Sequence, residues 1–163
     1  MPKLGMEPIR KAALVKATIV EIGRTGSLDV TVSQIAKRAG MSSALALADG
    51  PLARLRAILA ASFSAANFRR EAVGAWLNFW VLAQTVPEAK RLLRVYQSRL
   101  QSNLLAGLRP LAGDRAGEIA EGLGALIDGL YLRECLKSGA PNGPAAVAVA
   151  QAFLEAELAK APE

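Results

Sequence analysis

The sequence predicts an all-α protein in two parts, a small helical head followed by a larger helical body. Two observations carry this. First, 52% of the 163 residues are hydrophobic but only 5% are aromatic, and Ala and Leu dominate, residues that lose little entropy in a helix. Second, apolar residues recur at three- and four-residue intervals between Gly and Pro punctuation, and no stretch alternates in the manner of a strand.

The first helix is expected to open near Glu7–Pro8, because proline suits the first helical position and an acid complements the positive helix end. Ile9, Ala13, Ala17 and Val20 share one face, and Gly23 and Gly26 end the run. Thr31 with Gln34 has the form of a capping box opening a short second helix, whose Val32, Ile35, Ala36 and Ala39 point inward and which stops at Gly40. Ser42 then reads as the N-cap of a third helix. Helix, Gly-containing turn and Ser-capped helix make a helix-turn-helix. An ordinary pair of core helices would share this outline, but the spacing Ala36–Gly40–Ser42 and the basic pair Lys37–Arg38 favour a DNA-reading head.

Charge points the same way. Up to Ala46 there are seven Lys/Arg against three acids, whereas thirteen stand against eleven from Leu47 onward. Most of the net +6 therefore lies in the first third, as expected of a surface that meets phosphates. The third helix, however, has room for about one turn before Leu47-Ala-Asp-Gly-Pro51, which is turn chemistry. A reader helix needs about two turns or more to lie along a major groove.

The body is expected to hold helices over Leu52–Phe63, Arg69–Gln84, Pro87 to Arg109–Pro110, Asp114–Lys137 and Pro144–Leu158. The segment Ile119 to Leu132 is apolar on more than one face, with Gly122, Gly124, Ala125 and Gly129 permitting close approach. Such a helix needs a core of its own and a partner as well, which suggests a dimer through the last two helices; a helix simply buried in one core is the alternative. Trp76 and Trp80, four residues apart, share a helix face with Phe79 beside them. Asp128 lies in an apolar helix three residues before Tyr131, and Tyr96 could add another wall. Ring faces with a nearby carboxylate suit a cationic ligand. The alternative is plain core packing, with Asp128 paired to Arg99 or Arg133.

Other classes fare poorly. With no histidine, no phosphate-binding loop, no dinucleotide fingerprint and no metal-ligand cluster, neither an enzyme nor a cofactor or metal site is expected. No apolar run is long enough to span a membrane, since Asp128 interrupts Leu123–Leu132, and Lys3, Glu7, Arg10 and Lys11 break up the N-terminus. The lone Cys135 suits a reducing cytoplasm.

Five segments then carry a resemblance. Pro2-Lys-Leu-Gly-Met-Glu-Pro-Ile-Arg-Lys11, Thr31-Val-Ser-Gln-Ile-Ala-Lys-Arg-Ala-Gly-Met-Ser42, Ala75-Trp-Leu-Asn-Phe-Trp80, Arg99-Leu-Gln-Ser-Asn-Leu104 and Gly124-Ala-Leu-Ile-Asp-Gly-Leu-Tyr-Leu-Arg133 are similar to the choline-responsive branch of the TetR-family repressors, which controls glycine-betaine synthesis. The resemblance implies a helix-turn-helix domain over 1–46 and a ligand-binding and dimerisation domain over 47–163. It implies a homodimer on a double-stranded operator, with Thr31, Gln34, Ser42 and Ser43 at phosphates or bases and Lys3, Arg10 and Lys37 adding phosphate attraction. Thr31 and Ser42 could equally be caps alone. A small effector such as choline would sit among Trp76, Phe79, Trp80, Tyr96, Asp128 and Tyr131.

The chain departs from that family at one point. Members continue the recognition helix with a His-Tyr-Phe type segment and a connecting helix, and neither stands between Ala46 and Leu47. The gap is roughly thirty residues, the size of the rest of a reader helix plus one linker helix. Two explanations stay open: a true deletion, or a segment omitted from the sequence as written. If the segment is truly deleted, the chain would be a dimerising ligand-binding protein that has lost DNA binding.

Overall fold

The structure is a computed structural model and describes residues 48–65 and 67–160. The expected head helices, with Lys3, Arg10, Thr31, Gln34, Lys37, Ser42 and Ser43, lie outside the described residues, as does the junction at Ala46. Five α-helices follow: α1 Pro51–Ser62, α2 Arg70–Leu82, α3 Pro87–Ala112, α4 Ala116–Leu136 and α5 Gly143–Ala159, with a 3₁₀ turn at Gly113–Arg115 between α3 and α4. No strand occurs among the described residues.

The punctuation residues set these limits. Pro51, Pro87 and Pro144 each stand in the first two positions of a helix, where a missing N–H costs nothing. The Asn142 side chain accepts the Ala145 N–H at 3.0 Å and so caps α5. The helix limits lie within two residues of the sequence expectation: α2 ends two residues before Gln84, α4 begins two residues after Asp114, and α3 continues through Pro110 for two more residues. A proline in the last turn removes a single backbone bond, and the helix ends only at Gly113, whose φ of +53° an L side chain resists.

Helix α4 is the centre of the body and packs against α2, α3 and α5, while α1 packs on α3 and α5. Its inward residues Ala116, Ile119, Ala120, Leu123, Ile127 and Tyr131 are all buried, and they meet Leu55 and Leu59 of α1, Leu104 and Leu108 of α3, and Leu154 of α5 in one core. Gly107 lets α1 and α3 approach: a Cβ there would fall 2.8 Å from the Leu55 side chain. Polar ties close the ends. The buried Tyr131 hydroxyl donates to the carbonyl of Ser62, the last residue of α1, and Asn67 Nδ2 donates to the Ala61 carbonyl at 2.9 Å. Arg115 grips the end of α5 through the Glu157 carbonyl and carboxylate, at 3.0 and 2.7 Å. No helix among the described residues is long and apolar enough to cross a membrane.

Candidate effector pocket

Helices α2, α3 and α4 bring the expected aromatic residues together. Trp76 is the hub: its ring lies 4.6 Å from Tyr96, 5.7 Å from Phe79, 6.2 Å from Trp80 and 6.5 Å from Tyr131, centroid to centroid. The Trp76–Phe79 and Trp76–Tyr131 pairs meet edge to face, the arrangement ring quadrupoles favour. Tyr96 reaches the cluster from α3, and Tyr131 reaches it from α4.

The six candidates divide by role. Trp80 and Asp128 line an open pocket of about 240 Å³ together with Gln97, Gly129 and Leu132. Trp76 lies next to Trp80, and Tyr96 lies against Trp76. Phe79 is buried in a small core with Leu82, Ala83 and Ala89. Tyr131 meets Phe68 edge to face at 4.8 Å and turns its hydroxyl toward Ser62. Sequence reasoning does not single out Gln97, Gly129 and Leu132 as ligand contacts. Leu132 stands four residues after Asp128, so helical spacing could have found it; Gly129 and Gln97 are marked only by following Asp128 and Tyr96.

Electrostatics distinguish this pocket. Among the described residues Asp128 forms no ion pair. Burial alone pushes its carboxyl up to about 6. Burial, and then the nearby Asp128 charge, also raises the Tyr96 phenol, which stays neutral at physiological pH. The Tyr131 phenol is raised by burial first and by Tyr96 and Asp128 after it. A half-buried carboxylate without a counterion, beside an indole, favours a cation. The volume lies below the roughly 300–1,000 Å³ of sites for drug-sized ligands, and suits a small one.

A larger open groove of about 480 Å³ runs along the outside of α3, lined by Arg91, Arg94, Val95, Ser98 and Arg99. It offers a cation neither an acid nor an aromatic wall. No group of side chains able to hold a metal occurs among the described residues.

A helical body with a small pocket walled by an indole and a carboxylate, following a basic N-terminal sequence with a helix-turn-helix pattern, fits a transcriptional regulator. Residues 51–159 match the family described as BetI-type transcriptional repressor, C-terminal. The chain is 42% identical to the HTH-type transcriptional regulator BetI of Brucella suis biovar 1, over 99% of this chain and 98% of that protein. It is 40% identical to the regulator of the same name from Agrobacterium fabrum, over 100% of this chain and 95% of that protein. The chain belongs to the BetI-type repressors of the TetR family, a class of regulators rather than enzymes. A crystal structure from Pseudomonas aeruginosa PAO1, of a protein assigned as a transcriptional regulator, matches with a TM-score of 0.68 at 23% identity, over 95% of this chain and 93% of that one. It shares the fold.

The same alignments carry a length difference of the size of the departure noted in the sequence. The Brucella match runs over 194 positions yet takes in 99% of a chain of 163 residues. About thirty positions of the relative therefore have no residue of this chain opposite them, the size of a reader-helix remainder plus a linker helix.

Proposed function

We propose that this repressor governs genes for converting choline to glycine betaine and that a small quaternary ammonium effector, choline itself, releases it from its operator. The observation that carries the reading is the unpaired Asp128 beside Trp80 in a pocket backed by Trp76 and Tyr96. A quaternary ammonium supplies the missing positive charge, has no N–H that needs a hydrogen-bond acceptor, and packs its methyl groups on ring faces. In the head, Thr31, Gln34, Ser42 and Ser43 would meet the operator, with Lys3, Arg10 and Lys37 adding phosphate attraction. A homodimer through the last two helices would place two heads on a two-fold-symmetric site. The effector acts only if it binds the DNA-incompetent arrangement more tightly.

The test is titration calorimetry with choline, followed by a mobility shift on an operator-like palindrome with and without choline. Binding to the protein and reversal of the shift are expected. No heat of binding at millimolar choline refutes the effector assignment. A second reading has its own support in the roughly thirty unmatched positions. With the gap at the Ala46–Leu47 junction, the chain as written would lack most of its reader helix. It would then dimerise and bind effector without gripping DNA. Loss of the mobility shift, regained when a relative's segment is inserted at that junction, supports this second reading.

A further inference from the structure

Helix α3 holds the positive charge of the body. It carries five Lys/Arg against one acid, Glu88, whereas the rest of the chain from Leu47 onward has more acids than Lys/Arg. Arg91, Arg94 and Arg99 line the open groove of about 480 Å³ together with Val95 and Ser98, and all of these residues are exposed. Arg91 and Arg94 stand three residues apart, and Lys90 and Arg94 four, spacings at which like charges face one another and weaken a helix. Nothing in the fold offsets this repulsion. Among the described residues the side chains of Arg91 and Arg94 make no hydrogen bond or ion pair, not even with Glu88. An anion seated between them would offset it.

The spacing selects the kind of anion. Arg91 and Arg99 lie about 12 Å apart along the helix axis, with Arg94 and the Ser98 hydroxyl between them. A single phosphate or carboxylate spans only one end of this row. Linked phosphoryl groups span all of it and present charge and acceptor oxygens to each planar guanidinium fork in turn. The volume falls within the roughly 300–1,000 Å³ of small-molecule sites. Position argues against an operator as the occupant. The preceding residues join α1 at Pro51, and Leu55 of α1 packs on α3 at Gly107, about 24 Å along α3 from Arg91.

We propose that the outer groove of α3 binds a small polyphosphate, a compound with two or more linked phosphoryl groups such as inorganic triphosphate or the phosphate tail of a nucleotide. Arg91 and Arg94 grip one end, Ser98 donates to the middle, and Arg99 adds charge at the other end. The site shares no lining residue with the pocket of Asp128 and does not depend on the effector assigned there.

The test is titration calorimetry of the full chain with inorganic triphosphate, orthophosphate and citrate at one ionic strength, because screening alone alters the affinity of exposed charges. Triphosphate is expected to bind about tenfold more tightly than the other two, or better. The double variant Arg91→Gln with Arg94→Gln removes no contact within the described residues, so it should melt no lower than the parent and bind triphosphate at least about tenfold more weakly. Arg109→Gln, on the same helix but outside the groove, should bind as the parent does. No heat of binding at millimolar triphosphate overturns the inference, and so do equal affinities for the three anions. A double variant that binds like the parent puts the anion elsewhere, the basic first third of the chain foremost, and overturns it too. A random DNA duplex that displaces triphosphate from the parent assigns the groove to nucleic acid and overturns the small ligand.

Discussion

Replacing Asp128 with an asparagine should make the protein bind choline worse and resist heat better. Without a ligand, burial raises the Asp128 carboxyl from 3.8 to about 6, so its charged form is disfavoured by the fold. The folded value exceeds the unfolded one, so the group's stabilising contribution is complete below about pH 4. It is lost as pH rises through about 6. Two units correspond to about 3 kcal/mol, reduced to about 1–2 kcal/mol because the pocket is partly open to water. The amide of the variant carries no charge to desolvate, so the ligand-free Asp128→Asn protein should melt about 2–6 °C higher at pH 7. The same change removes the counter-charge for the ligand. A unit pair 5 Å apart at an effective dielectric of about 20 is worth about 3 kcal/mol, and desolvation leaves about 1.5–3 kcal/mol, a tenfold to hundredfold loss of affinity. The pH profile separates this from a packing effect. With a carboxyl near 6, about one molecule in eleven is ionised at pH 5, so the parent should bind choline about tenfold more weakly there than at pH 7, and Asp128→Asn should show no such slope. Calorimetry at the two pH values and a melting curve suffice. A variant that melts lower, or that keeps the parent's affinity or slope, refutes the reasoning.

Gly129→Leu fills the pocket from α4, where nothing lies within 4 Å of a Cβ; choline affinity should fall at least tenfold while far-UV circular dichroism keeps its helical signal. Tyr131→Phe removes the donor to the Ser62 carbonyl and should lower stability by about 1–2 kcal/mol in denaturant titration, and a neutral result would show that the tie is idle. The intact mass decides the fate of the unmatched segment: a value near 17.1 kDa means a true deletion, and a clearly heavier chain means an omission.

The sequence by itself determined the helices of the body and most of their limits. Prolines at 51, 87 and 144 and glycines at 113 and 139 act on the backbone locally, whatever the chain later packs against. It also showed that Trp76 and Trp80 share a face, because helical spacing is a local property. Tertiary structure decided the rest. Periodicity places a residue on a helix face without saying which neighbouring helix that face will meet. Phe79 therefore turned into a core with Leu82, Tyr131 spent its hydroxyl on the end of α1, and Tyr96 came within 4.6 Å of Trp76 from another helix. Asp128 is the sharpest case. Its sequence position showed a charge within an apolar helix, but only packing could set it half-buried beside Trp80 at a pocket wall.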